Sequence, residues 1–220
     1  MTSTPSTWQR LGSLDADAAA QAPSWLRPLL DIVPTLHVDD VSKWPPPHGS
    51  GHHSAVLVLF GPDRDLLLIE RAGTLRAHAG QPAFPGGRLD EGEDARTAAL
   101  REAAEETGLD PAGVVILGTL PDLWIPVTDY VVTPVLGWWP HPSPVAPQDP
   151  AEVTAAYRVA LADLADPARR CTVRHPSGYV GPGFEVHGML VWGFTAGVVS
   201  ALLDHLGLTQ PWTPREVPLP

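Results

Sequence analysis

Lysine and cysteine are almost absent from this chain of 220 residues. The single cysteine, Cys171, excludes a disulfide within the chain and favours a reducing, cytoplasmic setting. The single lysine, Lys43, and a net charge of −11 leave no basic stripe, which argues against binding to a nucleic-acid polymer. An anionic ligand would therefore need a local source of positive charge, such as a metal ion or a few arginines.

Long apolar runs are missing as well. Residues 1–10 are polar and lack the apolar segment of a secretory signal. The longest nearly uncharged apolar stretch, residues 188–203, is shorter than the ~20 residues that span a membrane. We therefore expect no membrane association, and we expect this stretch to belong to a buried C-terminal helix.

The length suits one main domain with short additions. We expect residues 1–50 to form an N-terminal extension with a flexible tail over 1–22 and a short helix over 23–33. Residues 51–208 would form the main domain and residues 209–220 a C-terminal tail. Apolar and β-branched runs predict strands over residues 55–60, 66–70, 114–120, 130–138, 153–161 and 184–191, and a helix over 192–206. Strands mixed with helices in this order predict an α/β/α sandwich.

Residues 87–109, GRLDEGEDARTAALREAAEETGL, carry a cluster of carboxylates. Glu102, Glu105 and Glu106 stand at helical positions i, i+3 and i+4, which share one face of a helix. Like charges at this spacing destabilise a helix unless they are neutralised, and Mg²⁺ is a natural partner for carboxylate oxygens. The alternative, a solvated charged face, would normally interleave lysines with the glutamates, and this segment has none.

The ends of the predicted helix are also specified. Asp94 suits the N-cap, where its carboxylate accepts a hydrogen bond from the first turn. Gly108 suits the C-terminal end, where a left-handed backbone stops a helix at low cost.

Gly87, Glu93 and the run from Arg101 to Leu109 together resemble the signature of the Nudix hydrolases. Seven fixed identities at these spacings arise by chance on the order of once in 10⁸ starts. The resemblance implies a Nudix-type α/β/α sandwich with a mixed sheet. It also implies hydrolysis of a nucleoside diphosphate linked to another moiety, with Mg²⁺ or Mn²⁺ as the cofactor.

Catalytic roles are carried over from this resemblance. It implies metal ligands at Glu102, Glu105, Glu106 and the carbonyl of Gly87. Glu93 and Arg101 would form a supporting ion pair, in which Arg101 orients a carboxylate. Glu152 resembles a downstream acidic position that completes the metal site or supplies a base; the alternative is an exposed loop carboxylate. The glutamate that accepts the proton of the attacking water varies across the family and stays open.

Residues 67–87 carry a second pattern: LLIERA is followed by Arg76, Gly80 and FPGG. This resembles the motif of the coenzyme A pyrophosphatase branch, with Ile69 where that branch more often has threonine. The branch splits coenzyme A into 3′,5′-ADP and 4′-phosphopantetheine. The resemblance places substrate-binding residues at Arg71, Arg76, Gly80, Phe84, Pro85 and Gly86.

Physical chemistry supports an anionic ligand at this loop, because arginine binds phosphate through two parallel hydrogen bonds. The alternative is that Arg71 or Arg76 pairs with Asp63, Asp65 or Glu70 for structural reasons. Phe84 is more typical of a core residue than of a ligand platform.

One pair of aromatic residues and one cluster of histidines each allow more than one interpretation. Trp124 and Tyr130 suit either stacking on adenine or packing in the core. His48, His52 and His53 suggest a metal site, but without cysteine or helical spacing a solvated loop is favoured.

Coenzyme A or an acyl derivative is thus the expected small-molecule substrate. One alternative is a Nudix hydrolase of ADP-ribose, NADH or a nucleoside triphosphate. The other is a non-catalytic Nudix-fold ligand sensor, which would have no need of the intact glutamate set. A homodimer is left open.

Overall fold

The computed structural model describes residues 11–41, 51–73, 80–175 and 178–219. The helices in these ranges are α1 (Ala16–Gln21), α2 (Arg27–Ile32), α3 (Val38–Val41), α4 (Ala95–Thr107), α5 (Leu161–Ala165) and α6 (Gly193–His205). The strands are β1 (Ser13–Leu14), β2 (His52–Gly61), β3 (Asp65–Arg71), β4 (Pro82–Ala83), β5 (Gly86–Arg88), β6 (Val115–Thr119), β7 (Leu123–Ile125), β8 (Tyr130–Trp138), β9 (Val153–Ala160), β10 (Arg170–Arg174), β11 (Val180–Val186), β12 (Met189–Val191) and β13 (Glu216–Pro218). No helix among the described residues is both long and apolar enough to cross a membrane.

A mixed sheet forms the centre of the described structure. Its main path runs β1-β6-β8-β2-β3-β4, while β5 pairs with β2, β7 with β8 and β9 with β3. Strands β2 and β8 are parallel over nine residue pairs, from His52 with Tyr130 to Phe60 with Trp138, and the other pairings are antiparallel. Since β2 also pairs with β5, it joins the long central pairing to the strand that carries Gly87.

Helices cover both faces of this sheet. On one face, Ala98, Ala99 and Ala103 of α4 are fully buried against alternate residues of β2 and β3, including Leu57 and Leu67. Small side chains at these helical positions allow α4 to approach the sheet closely. On the other face, apolar residues of α2 and α6 pack against the opposite set of strand side chains. The arrangement confirms the expected α/β/α sandwich with a mixed sheet.

A second, four-stranded sheet was not expected. Its order is β12-β11-β10-β13, and β13 lies parallel to β10. The strand predicted over residues 184–191 is in fact two strands, because His187 (φ 51°) and Gly188 (φ 78°) form a turn between β11 and β12. The left-handed backbone at these two positions reverses the chain direction.

The N-terminal part of the description also differs from expectation. Residues 11–22, expected to belong to a flexible tail, contain β1, which pairs with β6, and α1, which is capped by Asp15. Leu26, Leu29 and Leu30 are buried in the same core as α6. The proposed domain limits at residues 50 and 208 stay predictions.

Candidate functional site

Helix α4 places the three glutamates where the sequence predicts them. Asp94 caps the helix by accepting a hydrogen bond from the backbone N–H of Thr97 at 2.8 Å. Gly108 ends it with φ 69°, a left-handed conformation. Because the alanine face of α4 is fixed against the sheet, its glutamates lie along the side that meets β5 and the end of β3.

Arg101 holds several carboxylates together. Its guanidinium lies 2.9 Å from Glu93, 2.9 Å from Glu102 and 3.2 Å from Glu105, and it also donates to the carbonyl of Arg88 at 2.9 Å. The hydrogen bond from Arg101 holds the pKa of Glu93 below its usual range. The ion pair expected between Glu93 and Arg101 is therefore present, and Arg101 is committed to orienting carboxylates.

Glu106 is the most deeply placed of the three glutamates, with 8% of its surface exposed. Its Oε2 accepts a hydrogen bond from the backbone N–H of Gly86 at 2.9 Å. Burial raises the pKa of Glu106 to about 7. The negative charges of Glu102 and Glu152 raise that pKa further, so the acidic groups of the region are close enough to repel one another.

Gly87 lies directly against Glu102. A Cβ atom on Gly87 would lie 2.5 Å or less from the carboxylate carbon and both oxygens of Glu102. Burial also raises the pKa of Glu102, although the hydrogen bond from Arg101 opposes the shift. Only glycine at position 87 leaves the space that this carboxylate occupies.

The residues present fit a hard divalent cation by their chemistry. Glu102, Glu105 and Glu106 share one side of α4 and offer oxygen atoms, the ligands that Mg²⁺ and Mn²⁺ prefer. Among the described residues, however, no three acidic, histidine or cysteine side chains are placed closely enough to hold one ion. The glutamates are turned instead toward Arg101, Arg71 and the backbone of Gly86. The three glutamates therefore lie on one side of α4, but their carboxylates are not oriented toward a common point where an ion could bind.

Glu152 is brought to the site by the loop that follows β8. The backbone N–H of Gln148 donates to the carbonyl of Glu106 at 3.2 Å, and that of Ala146 donates to the carbonyl of Thr107 at 2.9 Å. Glu152 itself is exposed, and its charge reaches Glu106. This position is compatible with the expected downstream acidic residue.

Arg71 joins the upstream motif to helix α4. Its Nη1 lies 3.6 Å from Oε1 of Glu106, and its Nε is buried with no hydrogen-bond partner among the described residues. The alternative partners Asp63 and Asp65 are instead paired with Arg158. Arg71 therefore faces the glutamate cluster.

The loop around the FPGG segment fixes the backbone beside the cluster. The backbone N–H of Arg71 donates to the carbonyl of Gln81, and that of Gly80 donates to the carbonyl of Arg71. These two hydrogen bonds hold residues 80 and 81 beside Arg71. Pro85 accepts a hydrogen bond from Leu57 N–H at 2.8 Å. Phe84 is 2% exposed and belongs to the core. Arg76 lies outside the described residues.

On the opposite face of the sheet, Arg88, which the sequence analysis did not name, joins Tyr130 and His52, which it did. The guanidinium of Arg88 lies 5.4 Å from the centre of the Tyr130 ring, which is 5.6 Å from the ring of His52. Arg88 directly follows Gly87, and alternation along β5 turns the two to opposite faces. The indole N–H of Trp124 is taken by Asp129 at 3.0 Å.

The histidine cluster does not form the solvated loop that was favoured. His52 and His53 begin β2, where they pair with Tyr130 and Val131 of β8. His48 lies outside the described residues. Cys171 is fully buried, and burial raises the pKa of its thiol, which favours the unreactive protonated form.

Comparison with known proteins gives a consistent result. A family model described as "NUDIX domain" matches residues 51–175. The chain is 40% identical over 161 residues to an uncharacterized Nudix hydrolase, NudL, of Cronobacter sakazakii, covering 69% of this chain and 80% of the relative. It is 38% identical over 155 residues to NudL of Escherichia coli K12, covering 67% and 78%.

The comparison with solved structures also gave matches. One is a Nudix hydrolase from M. smegmatis, RenU, at 20% identity and a TM-score of 0.49, covering 74% of this chain and 89% of RenU. Another is an Ap4A hydrolase binary complex from C. elegans, at 24% identity and a TM-score of 0.41, covering 50% and 82%.

Proposed function

This chain belongs to the Nudix hydrolase family, and we propose that it hydrolyses the diphosphate of coenzyme A or an acyl-coenzyme A. The products would be 3′,5′-ADP and 4′-phosphopantetheine. The choice of coenzyme A rests on the motif of residues 67–87, and one structural observation supports diphosphate hydrolysis: Arg71 of that motif lies 3.6 Å from Glu106 on α4. This contact places a cation suited to phosphate beside the carboxylates suited to a metal ion.

The proposed cofactor is Mg²⁺ or Mn²⁺, held by Glu102, Glu105 and Glu106 together with the Gly87 carbonyl and Glu152. Such an ion would supply charge neutralisation for the diphosphate and a lower pKa for water. In the reaction, the oxygen of water bonds to one phosphorus, and the bond from that phosphorus to the bridging oxygen breaks. The proton of the water passes to a carboxylate, whose identity among the glutamates stays open.

The protein's own residues have separate parts in this proposal. Arg101 keeps Glu102 and Glu105 within reach of one another, while Gly86 N–H orients Glu106. Arg71 would bind an oxygen of the substrate. Because Arg71 lies next to a proposed metal ligand, we expect it to contact the diphosphate rather than the more distant 3′-phosphate.

Product analysis tests the proposed activity. The full chain is incubated with Mg²⁺ and, separately, with coenzyme A, ADP-ribose, NADH and nucleoside triphosphates, with and without EDTA. We expect 3′,5′-ADP from coenzyme A only when Mg²⁺ is present. Turnover of another substrate without 3′,5′-ADP would exclude the coenzyme A assignment. Binding of a nucleotide without any product would favour a ligand sensor.

Glutamine variants test the proposed metal ligands. Glu106→Gln and Glu105→Gln should each lower kcat by at least about 100-fold, because an amide is neutral and binds a divalent cation weakly. The matched control is Glu91→Gln, which removes one exposed carboxylate upstream of α4 and should leave the rate unchanged. Full activity in both site variants would remove these residues from the proposed metal site.

Arg71→Ala tests the proposed position of the substrate. If Arg71 contacts the diphosphate, coenzyme A and dephospho-coenzyme A, which lacks the 3′-phosphate, should lose kcat/KM by the same factor. That factor should be about 10- to 100-fold for a charged hydrogen bond. Arg174→Ala, which removes an exposed arginine of the second sheet, is the control. A loss confined to coenzyme A would place Arg71 at the 3′-phosphate.

A further inference from the structure

A shallow, solvent-open cavity of about 590 Å³ lies at the second sheet. Its walls include Arg170 at the start of β10, together with Trp212, Thr213 and Arg215 of the segment that leads into β13. The glutamates of the proposed catalytic site lie on α4 against the other sheet. The volume lies within the range of about 300–1,000 Å³ that is typical of small-molecule sites.

The wall formed by residues 212–215 is held in place by several contacts. The backbone N–H of Thr172 donates to the carbonyl of Arg215 at 2.8 Å, and β13 continues alongside β10. The side chain of Arg215 pairs with both oxygens of Glu185 on β11. Two prolines, Pro167 and Pro211, restrict the backbone at the rim. These contacts fix the end of the wall that joins β13 to the second sheet.

Arg170 is the unusual member of this wall. Its guanidinium lies close to two aromatic rings, 5.2 Å from the centre of Trp212 and 5.5 Å from that of Phe184. Its Nη2 donates to the hydroxyl of Ser200 at 2.8 Å, and its Nε is buried with no hydrogen-bond partner in the part of the chain that the structure describes.

The charge of Arg170 is not balanced by a carboxylate. Within the described residues no ion pair includes Arg170. By contrast, each of the nearby residues Arg169, Arg174 and Arg215 pairs with one or two carboxylates. Other arginines of the described residues also lack an ion pair, and Arg170 differs from them because it lines the cavity and has a buried Nε. Contacts with two aromatic rings and with Ser200 restrict the guanidinium, which lowers the entropy lost when a ligand binds.

We infer that this cavity binds a small organic molecule through a terminal oxyanion, either a phosphate monoester or a carboxylate. Arg170 supplies the positive charge, the hydroxyl of Thr213 supplies a hydrogen bond, and the prolines with the edge of Trp212 contact the organic part. This site is separate from the proposed catalytic site and does not depend on the proposed reaction.

Calorimetric titration of the metal-free full chain tests this site. The probes are phenyl phosphate and benzoate, which share a flat organic group and differ in the oxyanion, at constant ionic strength. We expect at least one probe to bind saturably, and the tighter probe identifies the oxyanion. Absence of saturable binding by both probes would overturn the inference.

Variants assign the binding to the cavity. Arg170→Met should abolish binding. Thr213→Asp changes an exposed side chain, so it should not affect folding, and the added charge should weaken binding at least about fivefold. Gln210→Glu adds the same charge three residues earlier, outside the cavity wall, and should bind like the wild type.

The same titration of Arg71→Ala separates this cavity from the proposed catalytic site. We expect Arg71→Ala to bind the probe with wild-type affinity. Loss of binding in Arg71→Ala, with binding retained in Arg170→Met and Thr213→Asp, would place the anion at the glutamate cluster and overturn the inference. Equal weakening by Thr213→Asp and Gln210→Glu would also overturn it, because the effect would then come from net charge alone.

Discussion

A methyl group at position 87 should separate activity from stability. In Gly87→Ala the new Cβ would lie 2.5 Å or less from the carboxylate carbon and both oxygens of Glu102. Ordinary contacts begin at 3.4 Å, so the carboxylate must move by about 1 Å. The backbone itself is under no constraint, since Gly87 is not among the residues with positive φ.

The expected loss of activity follows from this displacement. Misplacing a catalytic group by about 1 Å costs on the order of 100-fold in rate, which corresponds to about 2.7 kcal/mol of activation free energy. The free energy of unfolding should change by less than about 1 kcal/mol. The displaced group is the end of a flexible side chain, and replacing glycine by alanine lowers the entropy of the unfolded chain.

Two other glycines serve as matched controls. In Gly197→Ala, within α6, the new Cβ would meet no other described part of the chain within 4 Å, so activity should be unchanged and stability should rise by about 0.5–1 kcal/mol. In Gly86→Ala, φ is 156° and the Cβ would lie 2.6 Å from Val56 Cα and closer still to the carbonyl oxygen of Ala55. Because backbone atoms cannot move aside, Gly86→Ala should lose about 2–5 kcal/mol of stability.

The assay combines urea denaturation with the Mg²⁺-dependent rate on the substrate that the wild type hydrolyses fastest. A wild-type rate in Gly87→Ala would refute the reasoning, because Glu102 would then tolerate displacement. A loss of stability as large as that of Gly86→Ala would refute it as well, since position 87 would then be structural.

Two further predictions concern stability. Arg101→Lys should lower the free energy of unfolding by about 1–3 kcal/mol, because one ammonium group cannot bridge three carboxylates and a carbonyl. The control Arg96→Lys, on the same helix, should change it by less than about 0.5 kcal/mol. A small effect of Arg101→Lys in urea denaturation would mean that the bridges are weak in solution. Leu29→Ala should lower the free energy of unfolding by about 2–5 kcal/mol, because Leu29 is fully buried. Asp31→Ala, at an exposed position of the same helix, should be nearly neutral. Equal melting temperatures of the two variants would show that α2 does not contribute to the cooperative core.

Local sequence patterns predicted the elements around the site well. The strand predicted over residues 130–138 has the same limits as β8, and the helix predicted over 192–206 is α6 with one residue less at each end. Asp94 and Gly108 act at the ends of α4 as expected, because capping depends on the side chain and backbone of a single residue.

The features that sequence reasoning missed depend on distant pairings. Strand β13 forms only because residues 216–218 meet β10 more than 40 positions earlier, and no local pattern marks that partner. The cation beside Tyr130 could have been suspected, because Arg88 follows Gly87 in a strand, but the stacking requires the pairing of β2 with both β5 and β8. The contact between Arg71 and Glu106 likewise joins residues 35 positions apart.

The ion pairs of Arg101 have a consequence for the stability of the protein when the supply of metal ions changes. Since the guanidinium of Arg101 contacts Glu93, Glu102 and Glu105 and reduces their mutual repulsion, we expect helix α4 to form without a bound cation. Small metal-dependent domains behave differently, because their folding free energy comes from the ion and a chelator unfolds them. Here the apo-protein would persist as a folded reserve, and returning Mg²⁺ or Mn²⁺ would restore turnover without a refolding step.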